Sequence, residues 1–75
     1  MREWLRDLRE QRKWTQKVLA EQIGVSDVAV TLWETGKNRP SYDKMCRLAD
    51  LLGPEVHARF AEEAANRHSQ DGQVA

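Results

Sequence analysis

Cysteine is nearly absent from this chain. Cys46 stands alone, so no internal disulfide can form, and His57 and His68 are too few and too far apart to complete a metal-ligand set. Long apolar runs are missing as well. No stretch approaches the roughly 18 residues that would span a bilayer, and the opening MREWLRDLRE is charged throughout, so it does not read as a secretory signal. These absences lead us to expect a cytoplasmic protein held together by packing alone. An excess of charge of one sign is also lacking, since 12 basic residues meet 12 acidic ones. Glycine and proline are few, and they stand where helices would stop.

Seventy-five residues allow one small core, because a chain of this size buries only about 60% of its unfolded surface. Apolar residues at 40% and charged residues at 32% suit a compact, mostly helical domain. The charge is unevenly spread. Up to Ile23, Arg2, Arg6, Arg9, Arg12, Lys13 and Lys17 outnumber Glu3, Asp7, Glu10 and Glu21; from Gly53 onward Glu55, Glu62, Glu63 and Asp71 outnumber Arg59 and Arg67.

The apolar spacing predicts five helices. Trp4, Leu5 and Leu8 mark the first, over residues 3–12. Thr15 caps a second, over 15–23, whose Val18, Leu19 and Ile23 form a stripe ending at Gly24. Ser26 caps a short third, with Asp27 in its first turn, Val30 and Trp33 facing inward and Gly36 as its stop. Ser41 and Asp43 open a fourth along Met45, Leu48, Ala49 and Leu52, closed by Gly53. Pro54 begins a fifth, with Val56, Phe60 and Ala64 at i, i+4 and i+8. The domain is expected over 1–68, with 69–75 as a disordered tail that has nothing to bury.

Helices two and three, joined by a turn of about three residues containing Gly24, have the geometry of a helix-turn-helix. Along Leu5 to Gly53 the order and spacing of TQ, LAEQIGVS, V-T-L-W-E-T-G-K and P-S resemble the Cro/C1-type (XRE) helix-turn-helix domain of phage repressors and bacterial regulators. The resemblance implies an all-α, lambda-repressor-like domain of five helices that binds double-stranded DNA as a homodimer, with its third helix in the major groove.

It also implies roles for residues. Gln16 matches a phosphate-binding glutamine, flanked by Thr15 and Lys17; Lys37, Asn38, Arg39 and Tyr42 would meet phosphates further along. Base reading would fall to Ser26, Asp27, Val28, Thr31 and Leu32, which are less polar than the family commonly presents there. Arg9 and Glu34 match an ion pair tying helix three to helix one, and Lys13 stands where the family often has glycine. Val56, Phe60 and Ala64 either fold onto their own core or form a two-fold interface.

Two function classes follow. One is a sequence-specific transcriptional regulator, a repressor acting by occupancy; the other is a protein-interaction module or antitoxin on the same fold with reduced DNA affinity, for which zero net charge argues. No nucleophile-base pair, carboxylate pair or phosphate-cradling glycine loop can be assembled, so an enzyme is not expected. Nor is a cofactor, a membrane or a small-molecule substrate.

Overall fold

The computed structural model describes the backbone of residues 1–74 and the side chains of residues 1–65. Five helices follow in order: α1 Glu3–Gln11, α2 Gln16–Ile23, α3 Asp27–Thr35, α4 Tyr42–Leu52 and α5 Glu55–Val74. There is no strand among the described residues. The tail expected at 69–75 lies outside the residues whose side chains are described.

Local chemistry sets the boundaries. Thr15, Ser26 and Ser41 are in extended conformation, and each hydroxyl accepts a backbone N–H three residues on: from Val18 at 3.1 Å, Ala29 at 3.3 Å and Lys44 at 3.3 Å. Each bond satisfies a donor that the helix start leaves without a partner. At the other end of α2, Gly24 adopts φ 89°, and its N–H and that of Val25 both return to the Ala20 carbonyl, at 2.8 and 3.0 Å. A Cβ placed on Gly24 would meet nothing within 4 Å. Glycine is favoured there by the left-handed backbone and not by a close approach of helices. Lys13, between α1 and α2, takes a comparable conformation with φ 62°.

The helices bury one face each around a single core. Leu5 and Leu8 of α1, Leu19, Ala20 and Ile23 of α2, Val30 and Trp33 of α3, and Leu48 and Leu52 of α4 meet there. Trp14 and Val25 pack on it from the connections flanking α2, and Trp4 from α1. α2 packs chiefly on α3 and α4 chiefly on α5, while α1 braces α3.

The α5 stripe resolves the two readings open to it. Val56 and Phe60 are 0% and 1% exposed and belong to the chain's own core, while Ala64 is exposed. As dimer-interface residues Val56 and Phe60 are therefore corrected, because a side chain without accessible surface cannot touch a second chain. Phe60 instead packs edge-to-face with Trp4, with ring centroids 5.1 Å apart and planes at 79°.

Candidate nucleic-acid interface

α3 has a buried back and an open front. Val30, Trp33 and Glu34 point inward; Ser26, Asp27 and Val28 are exposed; Thr31 and Leu32 are half-buried between them. Val28 is 61% exposed although it is apolar. The Ser26 hydroxyl is already engaged as the α3 cap, and Asp27 occupies the first turn, where its charge complements the helix dipole.

The back of α3 is fixed by a polar cluster inside an apolar core. Arg9 and Glu34 are 7% and 3% exposed. Arg9 Nε donates to Glu34 Oε2 at 2.7 Å, and a terminal nitrogen donates to Oε1 at 3.2 Å. Its other terminal nitrogen donates to the Trp14 carbonyl at 2.7 Å. The hydrogen bond to Glu34 raises the Arg9 pKa above its ordinary value; burial opposes this, and the charges of Glu34 and Glu10 add to it. Two buried charges are tolerable because they satisfy one another and the surrounding carbonyl.

Gln16 extends this cluster to the surface. Its side-chain amide donates to Glu34 Oε1 at 3.0 Å, and its carbonyl oxygen accepts from the Thr31 hydroxyl at 2.7 Å. Thus Arg9 of α1, Gln16 of α2, and Glu34 and Thr31 of α3 form one chain of hydrogen bonds. The structure brings together Gln16 and Thr31, assigned by sequence to phosphate and base contacts respectively. A primary amide carries two N–H donors, so Gln16 retains one beyond the bond to Glu34. Thr15 is occupied as the α2 cap, and Lys17 is exposed beside it.

The loop after α3 differs from a simple solvated basic stretch. Its amides are consumed internally: Gly36 bonds to the Trp33 carbonyl, Lys37 and Asn38 both bond to the Leu32 carbonyl, and Arg39 bonds to the Asn38 side chain. Only side chains are left to meet a ligand. Lys37 and Asn38 are exposed, whereas Arg39 is half-buried, with its guanidinium 5.7 Å from the Phe60 ring centroid and one nitrogen 3.4 Å from the Phe60 carbonyl. Tyr42, at the start of α4, is 76% exposed.

Sequence reasoning counted Arg2 only as one basic residue among several. The structure buries it to 5% exposure against the loop and α5. No local pattern signals this, because its carboxylate partner, Glu63, lies 61 positions away.

The helix-turn-helix family HTH_3 matches residues 5–55, more than half of the chain. The uncharacterized HTH-type transcriptional regulator YqaE of Bacillus subtilis (strain 168) is 28% identical over 67 residues, which cover 89% of this chain and 58% of that protein. The chain thus spans less than two thirds of the length of this relative. No solved structure matches it. The matched segment runs from Leu5 in α1 to the first residue of α5 and contains the cluster that fixes α3; the chain belongs to the helix-turn-helix family, in its Cro/C1 type.

Proposed function

We propose that this domain binds double-stranded DNA sequence-specifically and regulates transcription as a repressor, by occupancy of its site and without chemistry. The observation that carries this reading is the division of α3. Its back is locked to α1 and α2 through Glu34, while Asp27, Val28, Thr31 and Leu32 lie on the open front of a single helix, the element that a major groove admits. Asp27 suits a cytosine amino group and Val28 a thymine methyl. Gln16, Lys17 and Lys37 flank that front and supply phosphate contacts. The relative's description as a transcriptional regulator points the same way. A cytoplasmic location is part of the same reading. A homodimer spanning two half-sites fits the reading, built from surfaces other than Val56 and Phe60.

The test is selection of bound duplexes from a random pool, followed by anisotropy titrations at several salt concentrations. Lys37→Ala should weaken binding to every sequence alike and flatten the salt slope by about 0.9, whereas Val28→Ala should change which sequence is preferred. Should Lys37→Ala shift the preference and leave the slope untouched, the division into phosphate and base contacts is wrong.

One observation favours the protein-interaction reading: an apolar Val28 beside Asp27 on the exposed front of a domain with zero net charge. Absence of duplex binding at low salt would select it.

A further inference from the structure

A second guanidinium organises the far end of α3. Arg2 Nε donates to both carboxylate oxygens of Glu63 on α5, at 3.1 and 2.9 Å. One terminal nitrogen donates to the carbonyls of Trp33, at 2.5 Å, and Asn38, at 2.7 Å. The Arg2 backbone N–H donates to the Glu34 carbonyl at 2.7 Å, and the guanidinium carbon lies 5.0 Å from the Phe60 ring centroid. The end of α3, the loop after it and α5 therefore converge on one side chain that is 6% exposed.

These bonds draw the Asn38 carbonyl inward. With the loop amides also engaged, the loop presents its side chains. Arg2, Gly36, Lys37, Asn38 and Arg39 line a concave pocket of about 270 Å³. An anion there would be met by Lys37 and Arg39, since the charge of Arg2 is already matched by Glu63. Both arginines that line it also lie over the Phe60 ring, which ties the pocket to α5.

We propose that Arg2 is a positioning residue for phosphate binding: it holds the loop Gly36–Arg39 as a seat for one backbone phosphate of duplex DNA, and Glu63 holds Arg2. This rests on the DNA-binding reading above and adds that α5, which carries none of the proposed DNA contacts, sets phosphate affinity.

Two variants separate position from charge. Arg2→Lys keeps the charge but loses the fork of donors, and Glu63→Gln makes the domain more positive, which on long-range electrostatics alone would tighten DNA binding. The seat requires the opposite. Both should weaken duplex binding about tenfold, the order expected for one charge-assisted contact, and flatten the salt slope by about 0.9. Glu63 has a side chain 34% exposed, so Glu63→Gln should keep the wild-type circular dichroism and carries the test if Arg2→Lys does not fold. In a Lys37→Ala/Arg39→Ala background Glu63→Gln should weaken binding no further, leaving only the long-range gain in positive charge. The proposal is overturned if wild type binds duplex and Glu63→Gln binds as tightly or more tightly with an unchanged slope, or if Glu63→Gln still weakens binding in that background. If wild type itself binds no duplex, the DNA-binding reading fails and takes the seat with it.

Discussion

The Arg9–Glu34 pair should behave asymmetrically under mutation. Consider Arg9→Met and Glu34→Leu, alone and together. Either single change strands a buried charge: Glu34→Leu leaves a guanidinium that is 7% exposed, and Arg9→Met leaves a carboxylate that is 3% exposed, with Gln16 as its remaining partner. Breaking a buried pair in this way costs about 3–5 kcal/mol. A domain of this length has roughly 4–11 kcal/mol in total, so each single variant loses about a quarter of its stability or more. At about 4–8 °C per kcal/mol, melting should fall by at least about 12 °C.

The double variant replaces two charges with apolar groups of similar volume and should recover to within about 2 kcal/mol of wild type. The residual loss comes from the Trp14 carbonyl, which forfeits its 2.7 Å bond from Arg9, worth about 1 kcal/mol. Urea titrations followed by circular dichroism and by tryptophan emission would give the full cycle, since Trp33 is buried next to Glu34. The double variant should nevertheless bind duplex more weakly, because Gln16 and the back of α3 lose their anchor. If the single variants cost under about 1 kcal/mol, or if the two costs simply add in the double, the pair is not working as a mutually satisfied buried unit.

Lys13→Gly should raise stability by up to about 1 kcal/mol, because relief of the left-handed strain at φ 62° exceeds the added freedom of the unfolded chain; a higher urea midpoint at constant m value would show it. Tyr42, the one tyrosine of the chain, has its phenol pKa pushed above 10.0 by the Cys46 side chain, first through hydrogen bonding and then through charge, with a small contribution from burial. In an ultraviolet titration its ionisation should begin at higher pH than a free tyrosine, and Cys46→Ala should bring it down towards 10.0.

Much of the fold was legible because it is written in local chemistry. Thr15, Ser26 and Ser41 announce helix starts through an oxygen placed to accept an N–H three residues on, and all three do so. Gly24 and Gly36 announce helix ends through a backbone conformation that costs glycine little. The periodicity of Val56 and Phe60 likewise indicated a buried face. What the face packs against was not legible, because a 3.6-residue repeat reports burial and not the identity of the cover.

The site was less readable for a related reason. Gln16 reads as a surface donor, yet a polar side chain at a helix start will turn towards a buried carboxylate when the next helix places one 3.0 Å away. Arg39 reads as a free loop cation, yet an aromatic ring 21 positions later draws it in. Arg2 depends on Glu63 and on carbonyls that exist as acceptors only once α3 has ended. Each is a long-range pairing, and sequence spacing carries no distance across the fold.

The bond between the Thr31 hydroxyl and Gln16 divides the front of α3 into two kinds of position. Val28 is exposed and holds nothing else in place, so on the DNA-binding reading proposed above a lineage could exchange it to acquire a new operator while leaving the scaffold unaltered. Thr31 cannot drift so freely, since any replacement without a hydroxyl also disturbs an amide that leads to Glu34 and from there to α1. Diversification of targets in this protein should therefore begin at residue 28 and reach residue 31 only together with residue 16.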